Sequence, residues 1–273
     1  LWTTLQSAAL DLQLLEAAAR DAGRYAHQWF GKPREVQSKG AAGPVTEVDF
    51  AVDAMLKERL RAARPDYGWL SEETPDDHAA RIGFKRSFSL DPIDGTSAFI
   101  QGAPEYTISV GVIEDGRAIA GAIYNPSTDQ MFLGAEGVGA THNGTPMYAS
   151  SVDQLEAAHL VGDPRRFADK RWPTPWPRSM QVTPRQSIAL RLALVAAGAF
   201  DGVILFGWKN EWDISAGAAI IEAAGGRFTD ALGNPVKFNQ PDPRAPGVVA
   251  AGAALHPLII ERASSAAPGA LKS

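Results

Sequence analysis

The sequence has 273 residues, 45% hydrophobic and 21% charged, with a formal net charge of -5, which is material for one large core or two smaller ones. No run of five like charges and no clustered basic face occurs, which argues against a nucleic-acid polymer as partner. The absence of cysteine excludes disulfides and thiolate metal sites and suits a reducing cytoplasm, and no apolar run approaches the length of about 18 residues that would suggest a membrane span.

Leu5, Ala8, Leu12, Leu15, Ala19, Ala22, Ala26 and Trp29 recur at three- and four-residue steps and predict a long amphipathic helix ending before Gly31 and Pro33. Asp11, Gln13, Glu16 and Arg20 interrupt that stretch, so it does not read as a signal peptide, and the start at Leu1 rather than Met reads as a trimmed end. A polar, Gly-rich loop from Lys39 to Pro44 follows. Thr46 then reads as an N-cap with Asp49 as capping-box partner, opening a second helix that Pro65 closes.

From there the signals turn to strands. Gly68–Ser71 runs into Glu72-Glu73, and Ser87–Leu90 runs into Asp91-Pro92. Thr107–Ile113 and Ala118–Tyr124 flank a Glu-Asp-Gly-Arg turn and predict a hairpin, extended by Met131–Leu133 and an Asn143-Gly144 turn. Near Ser150 the pattern changes. His159–Val161 reads as a strand, 164–178 as a Pro- and Trp-rich loop, Ser187–Ala197 as a helix and Gly202–Phe206 as a strand. Asp213 is expected to cap a helix stopped by Gly225-Gly226, before a strand at Val248–Ala251 and a terminal helix from His256. The order is a helix pair plus antiparallel sheet over 1–150, then an α/β half over 151–273, an α+β arrangement with the site expected between the halves.

The chemistry concentrates in Asp91-Pro92-Ile93-Asp94-Gly95-Thr96. Two carboxylates straddle a proline that fixes the backbone, and Gly95 permits a tight turn into a short helical segment. Amide N–H groups of Gly95 and Thr96 at that start suit a phosphate, and hard oxygen ligands beside an anion are what magnesium uses. An acidic turn is the plain alternative for these six residues taken alone. Glu72 and Glu73 after a strand, Asp49 near a helix start and Asp213 near another place carboxylates at four element ends, the layout of a site at a sheet edge. Individually, Asp49 and Asp213 also fit ordinary N-caps, and Glu72-Glu73 a solvated pair. Asp53, one turn after Asp49, is expected to be an exposed helix residue, and Trp69, Trp172, Trp176 and Trp208 are expected in core or lid packing.

In this order, Thr46-Glu47-Val48-Asp49, Ser71-Glu72-Glu73, Asp91-Pro92-Ile93-Asp94-Gly95-Thr96 and Trp212-Asp213-Ile214-Ser215-Ala216-Gly217 resemble the motifs of the inositol monophosphatase family, and the resemblance spans nearly the whole chain. It implies the layered α/β/α/β/α sandwich of the inositol monophosphatase and fructose-1,6-bisphosphatase type. It implies a magnesium-dependent, lithium-sensitive phosphomonoesterase acting on a small phosphorylated metabolite. Glu72, Asp91 and the Ile93 carbonyl would hold a first Mg2+; Asp91, Asp94 and Asp213 a second; a third, weaker ion would sit near Glu72. Gly95 and Thr96 would bind the phosphate, with Asp94 and Asp213 near it. Thr96 paired with Asp49 would orient the attacking water, and Glu72 would draw off its proton. Metal-activated water needs no covalent nucleophile, so the lack of cysteine costs nothing.

Ser71 before the paired glutamates, and Phe99-Ile100 after the Asp-Gly-Thr, are closer to CysQ-type 3'(2'),5'-bisphosphate nucleotidases than to inositol-1-monophosphatases. Arg185 before the later helix is a candidate for a second phosphate, and Lys39 for a basic residue near the metals. An exposed arginine and a solvated lysine are the plain alternatives. A non-catalytic binding or regulatory homologue would be expected to lack one of Glu72, Asp91, Asp94, Thr96 or Asp213, and all five are present. Inositol-acting relatives are usually dimers and CysQ-type ones monomers, which leaves a homodimer open.

Overall fold

The computed structural model describes residues 2–32, 35–38, 40, 44–168 and 172–264. Two helices and a short ribbon open the chain. Helix α1 (Trp2–His27) buries Ala8, Leu15, Ala18, Ala19, Ala22 and Ala26, a face of mainly small residues that lets a second helix lie close. Strands β1 (Val36–Ser38) and β2 (Pro44–Thr46) pair antiparallel, a ribbon that the Gly-rich composition of this stretch did not predict. Helix α2 (Glu47–Ala63) begins with the expected capping box. Thr46 Oγ1 accepts from the Val48 amide at 3.2 Å, and Asp49 Oδ2 accepts from the Thr46 amide at 2.8 Å.

The large sheet follows with β3 (Gly68–Ser71), the single turn α3 (His78–Arg81), β4 (Arg86–Asp94), the short α4 (Thr96–Gln101), β5 (Thr107–Glu114), β6 (Arg117–Asn125), β7 (Gln130–Ala135), β8 (Gly139–His142) and β9 (Thr145–Pro146). Its seven strands lie in chain order. All neighbours are antiparallel except β3 and β4, which run parallel, so the expected antiparallel sheet is mixed at its edge. Strand β4 is longer than its apolar residues predicted, because pairing resumes beyond Pro92. Asp91 pairs with Ser109 and Asp94 with Thr107, and the register breaks between them, where proline has no N–H to give. Asp11, fully buried on α1, anchors the helix pair to this sheet by accepting from Arg64 Nε and Arg86 Nη1, both at 2.9 Å, and from the Tyr67 hydroxyl at 2.8 Å.

The second half holds β10 (His159–Val161), α5 (Pro164–Phe167), β11 (Gln181–Thr183), α6 (Ile188–Ala196), β12 (Gly202–Asn210), α7 (Glu211–Ala223), β13 (Gly226–Asp230), β14 (Arg244–Gly252) and α8 (His256–Ser264). Its five strands lie in the order β11-β10-β12-β14-β13. The sequence reading missed β11, β13 and α5, all of five residues or fewer, and cut β12 and β14 short because their outer residues are polar or half exposed.

Five layers result: α1 and α2, the seven-stranded sheet, α6 and α7, the five-stranded sheet, and α8. Apolar clusters fill the spaces: one under the helix pair, one around α6 and α7, and one beneath α8 that includes Trp172 and Trp176 as expected. Trp208 departs from its expected packing role and is 50% exposed, with the Arg244 guanidinium 5.4 Å from its ring centroid. Helix α7 lies almost on the backbone of the large sheet. A Cβ on Gly121 of β6 would sit 2.3 Å from the Ala216 carbonyl oxygen, so glycine is required for this approach. The Ser215 hydroxyl then donates to the Ser89 carbonyl at 3.3 Å, which ties the second turn of α7 to the middle of β4.

Candidate active site

Four chain segments deliver carboxylates to one place. Glu72 follows the last residue of β3, and its amide donates to the Leu90 carbonyl of β4 at 3.3 Å. The segment carrying it is tied to α2 through Asp53. Asp53 is buried rather than exposed, and its two oxygens accept from the Ser71 hydroxyl and, at 2.6 Å, from the Thr74 hydroxyl. The i, i+4 spacing from Asp49 was the available signal: both residues face the sheet from one side of α2.

Asp91 and Asp94 end β4. Asp91 Oδ1 accepts from the Ile93 amide at 2.9 Å. Asp94 Oδ2 accepts from the Ser187 hydroxyl and, at 2.6 Å, from the Ala189 amide, so one of its oxygens secures the start of α6. Gly95 then turns the chain with φ of 93°, and a Cβ there would meet the Glu105 carbonyl at 2.8 Å. Thr96 opens α4. Its Oγ1 lies 3.1 Å from Asp49 Oδ1 and 3.0 Å from the Ile93 carbonyl oxygen, two acceptors for a single hydroxyl proton. Asp213 is the third residue of α7, not its cap. Asn210 precedes the helix, and its Nδ2 lies 3.5 Å from Asp213 Oδ2.

One oxygen each from Glu72, Asp91 and Asp213 lies within 4.8 Å of the others. They face a cleft of about 260 Å³ whose lining also includes Ile93, Asp94, Gly95 and Thr96, with Pro44, Ser97, Gln186 and Asn210 at its sides. No lysine or arginine is among those lining residues. Burial first, then the charges of Glu72, Asp94, Asp213 and Asp49, push the Asp91 carboxyl well above its ordinary value. Burial, then Asp94 and Glu72, do the same to Asp213, against a partial pull from Lys209. Burial also raises Asp94 and Asp49, opposed by the hydrogen bonds from Ser187 and Ala189 in one case and from Thr46 and Thr96 in the other. Hard oxygen donors packed this closely, with no cation among the side chains lining the cleft, fit a divalent metal ion.

Arg185 is not part of this lining. It pairs with Glu105 at 3.4 Å, and its guanidinium lies 5.8 Å from the Phe200 ring centroid. Lys39 lies outside the described residues. Sequence reasoning assigned no role to Ser187, Gln186, Asn210 or Asp53. The first three flank motifs it did recognise, but nothing in their types marks them, since serine at a helix start is ordinary capping.

A layered sandwich with a carboxylate cleft at its sheet edge fits a metal-dependent phosphomonoesterase, and comparison with known proteins shows that class. The model of the "Inositol monophosphatase family" matches residues 9–267, and the chain belongs to that family, whose members are metal-dependent. It is 31% identical over 264 residues to the "Fructose-1,6-bisphosphatase/inositol-1-monophosphatase" of Aquifex aeolicus, covering 92% of this chain and 94% of that one. It is also 31% identical over 223 residues to the "3'(2'),5'-bisphosphate nucleotidase CysQ" of Escherichia coli, covering 81% and 90%. Among solved structures, the IMPase of Thermotoga maritima superposes with a TM-score of 0.80 at 26% identity, covering 94% of this chain and 96% of that one. Among the described residues no helix is long and apolar enough to cross a membrane.

Proposed function

We propose that this phosphatase is a cytoplasmic, magnesium-dependent 3'(2'),5'-bisphosphate nucleotidase that converts adenosine 3',5'-bisphosphate to AMP. The convergence of Glu72, Asp91 and Asp213 beside Gly95 and Thr96 carries the phosphatase reading. The likeness to the CysQ nucleotidase supports the nucleotide. Ser71 acts only indirectly on that choice, because its hydroxyl bonds Asp53 and steadies the segment bearing Glu72. Inositol-1-monophosphatase activity is the second reading, favoured by relatives of that name, including one from Rhizobium meliloti at 32% identity.

On this reading Glu72, Asp91 and the Ile93 carbonyl would hold one Mg2+, and Asp91, Asp94 and Asp213 a second, with a weaker third near Glu72. Bound there, the ions would supply positive charge against the phosphoryl oxygens and make a nearby water more acidic. The chain does the rest. Gly95 and Thr96 amides orient the phosphate, Asp49 holds the Thr96 hydroxyl, and Thr96 aims the water in line with the ester bond. Glu72 takes the proton as the water oxygen bonds to phosphorus and the ester P–O bond breaks, and the departing ester oxygen takes a proton from solvent water to leave as a hydroxyl. Residues 1–150 thus bear most of the site, and 151–273 contribute Asp213.

Phosphate release from inositol 1-phosphate, adenosine 3',5'-bisphosphate, fructose 1,6-bisphosphate and histidinol phosphate, each with magnesium and with or without lithium, tests this. The nucleotide is expected to be turned over fastest, and lithium to inhibit. Faster turnover of inositol 1-phosphate selects the second reading.

A further inference from the structure

Arg81 and Glu211 are each 1% exposed, and the mechanism uses neither. Arg81 ends α3, in the same crossover from β3 to β4 that Glu72 opens. Glu211 lies in the first turn of α7, which also carries Asp213. The two meet on one dipeptide, Asn239-Gln240, in the loop between β13 and β14. Arg81 Nη1 donates to Asn239 Oδ1, and Nη2 donates to the Gln240 carbonyl at 3.1 Å. Glu211 accepts from the Asn239 amide at 2.7 Å and from the Gln240 amide at 3.1 Å, one on each carboxylate oxygen. The cation thus takes the acceptors of the dipeptide, and the anion takes its donors. Asp76 orients the guanidinium through two parallel bonds of 2.9 and 2.8 Å. Asn239 has a φ of 61°, in the left-handed region that asparagine tolerates.

We propose that Arg81 and Glu211 are positioning residues of the metal site, and that their shared grip on Asn239-Gln240 sets Asp213 against Glu72. Glu72 and Asp91 are already fixed to each other, since the Glu72 amide bonds the Leu90 carbonyl on β4. Asp213 comes from the other half of the chain. Contact with Gly121 sets how deeply α7 seats, and Ser215 ties its second turn to Ser89. The first turn, with Asp213 on it, is held through Glu211. Neither Arg81 nor Glu211 lines the cleft, so each acts on a metal ion only through the carboxylates it positions. Breaking the grip leaves buried charged groups without partners, and a shift of the α7 start relieves that cost. Outer partners that orient metal ligands are worth about tenfold to a hundredfold in affinity, and the lower figure is expected for a contact relayed through backbone. The inference rests on the phosphatase reading only in that these carboxylates hold a metal ion, and it requires no particular substrate.

Calorimetric titration of chelator-treated protein with magnesium tests this, read beside kcat and KM for adenosine 3',5'-bisphosphate at saturating magnesium. Asn239→Gly keeps the left-handed backbone and the amide that Glu211 holds, and removes only the acceptor for Arg81 Nη1. Glu211→Gln removes one of the two carboxylate acceptors. Both should raise the magnesium dissociation constant about tenfold and leave kcat and KM at saturating magnesium unchanged. Arg81→Lys, which keeps the charge, should weaken magnesium binding less than Arg81→Met. Asp11→Asn is the control, because it disrupts the buried ion cluster at Arg86, the opposite end of β4 from Asp91 and Asp94. It should lower the melting temperature without changing the magnesium dissociation constant. Unchanged magnesium binding in both Asn239→Gly and Glu211→Gln overturns the proposal. So does an equal weakening in Asp11→Asn for an equal loss of melting temperature, since general destabilisation would then account for the effect. A wild type that binds no magnesium overturns it as well. A wild type that binds magnesium but releases phosphate from no substrate defeats the phosphatase reading alone, and the calorimetric comparison still decides the positioning roles.

Discussion

The hydroxyl of Thr96 stands where the proposed chemistry begins, with Asp49 at 3.1 Å able to hold its proton. Removing that hydroxyl leaves α4 and its backbone amides in place, so Thr96→Ala should lower kcat about a hundredfold with little change in KM or in melting temperature. A fall in stability matching the fall in rate would make Thr96 a structural residue. Asp213 separates the two kinds of role in another way. It lies in the first turn of α7 without serving as the cap, so Asp213→Asn should weaken magnesium activation and leave the fold intact. Magnesium titrations of activity with circular dichroism on the same samples check this, and unfolding on that change would mark the aspartate as structural. At this scale the sequence offered Glu72, Asp91, Asp94 and Asp213 as carboxylates at element ends, and the resemblance to the family implied their roles as metal ligands. It was blind to Asp53, whose burial depends on the Ser71 and Thr74 hydroxyls of a segment eighteen and twenty-one residues away.

Among the elements, α7 and the end of β4 set the site. Asp213 reaches Asp91 because α7 presses on strands that carry glycine at its contacts. Gly121→Ala would place a Cβ 2.3 Å from the Ala216 carbonyl oxygen, and overpacking of this kind costs about 1–3 kcal/mol. That variant should melt earlier and need more magnesium for half-maximal activity, since lifting α7 moves Asp213; thermal melts and activation curves on one preparation measure both. An unchanged magnesium requirement would mean that the helix position does not govern the site. The longer helices were the legible elements, because Thr46, Ser187 and the Gly225-Gly226 pair carry local start and stop signals, whereas the single turns α3 and α5 were not. The short strands β11 and β13 were not. Their pairing partners lie far along the chain, and three to five residues carry too little alternation to identify a strand. The extension of β4 through Asp94 was hidden by Pro92, which reads as a break unless the register shift against β5 is known.

Across the whole molecule, the sandwich holds carboxylates together at a cost. Asp91 and Asp213 are raised well above the ordinary value of 3.8 by burial and by one another's neighbours. A carboxyl whose folded value is raised favours the folded state fully only below its unfolded value, and that stability is lost as pH rises through the folded value. The metal-free protein should therefore be penalised progressively above pH 3.8, and a bound divalent ion should offset the penalty. Melting temperatures with magnesium and with chelator should diverge progressively as pH rises above 3.8. A gap that stays constant across that range would deny that the carboxylate cluster holds the ion. The layer count came from family resemblance rather than from residue patterns, since element order does not state how two sheets stack.

The central claim is that these carboxylates hold the metal on which phosphate release depends. Its most direct test is release of inorganic phosphate from adenosine 3',5'-bisphosphate, titrated with magnesium, for the wild type and Asp91→Asn side by side. A saturating rise with magnesium in the wild type, abolished by chelator and lost in Asp91→Asn, is the predicted result. Release that persists in chelator, or an Asp91→Asn curve overlying that of the wild type, would contradict it.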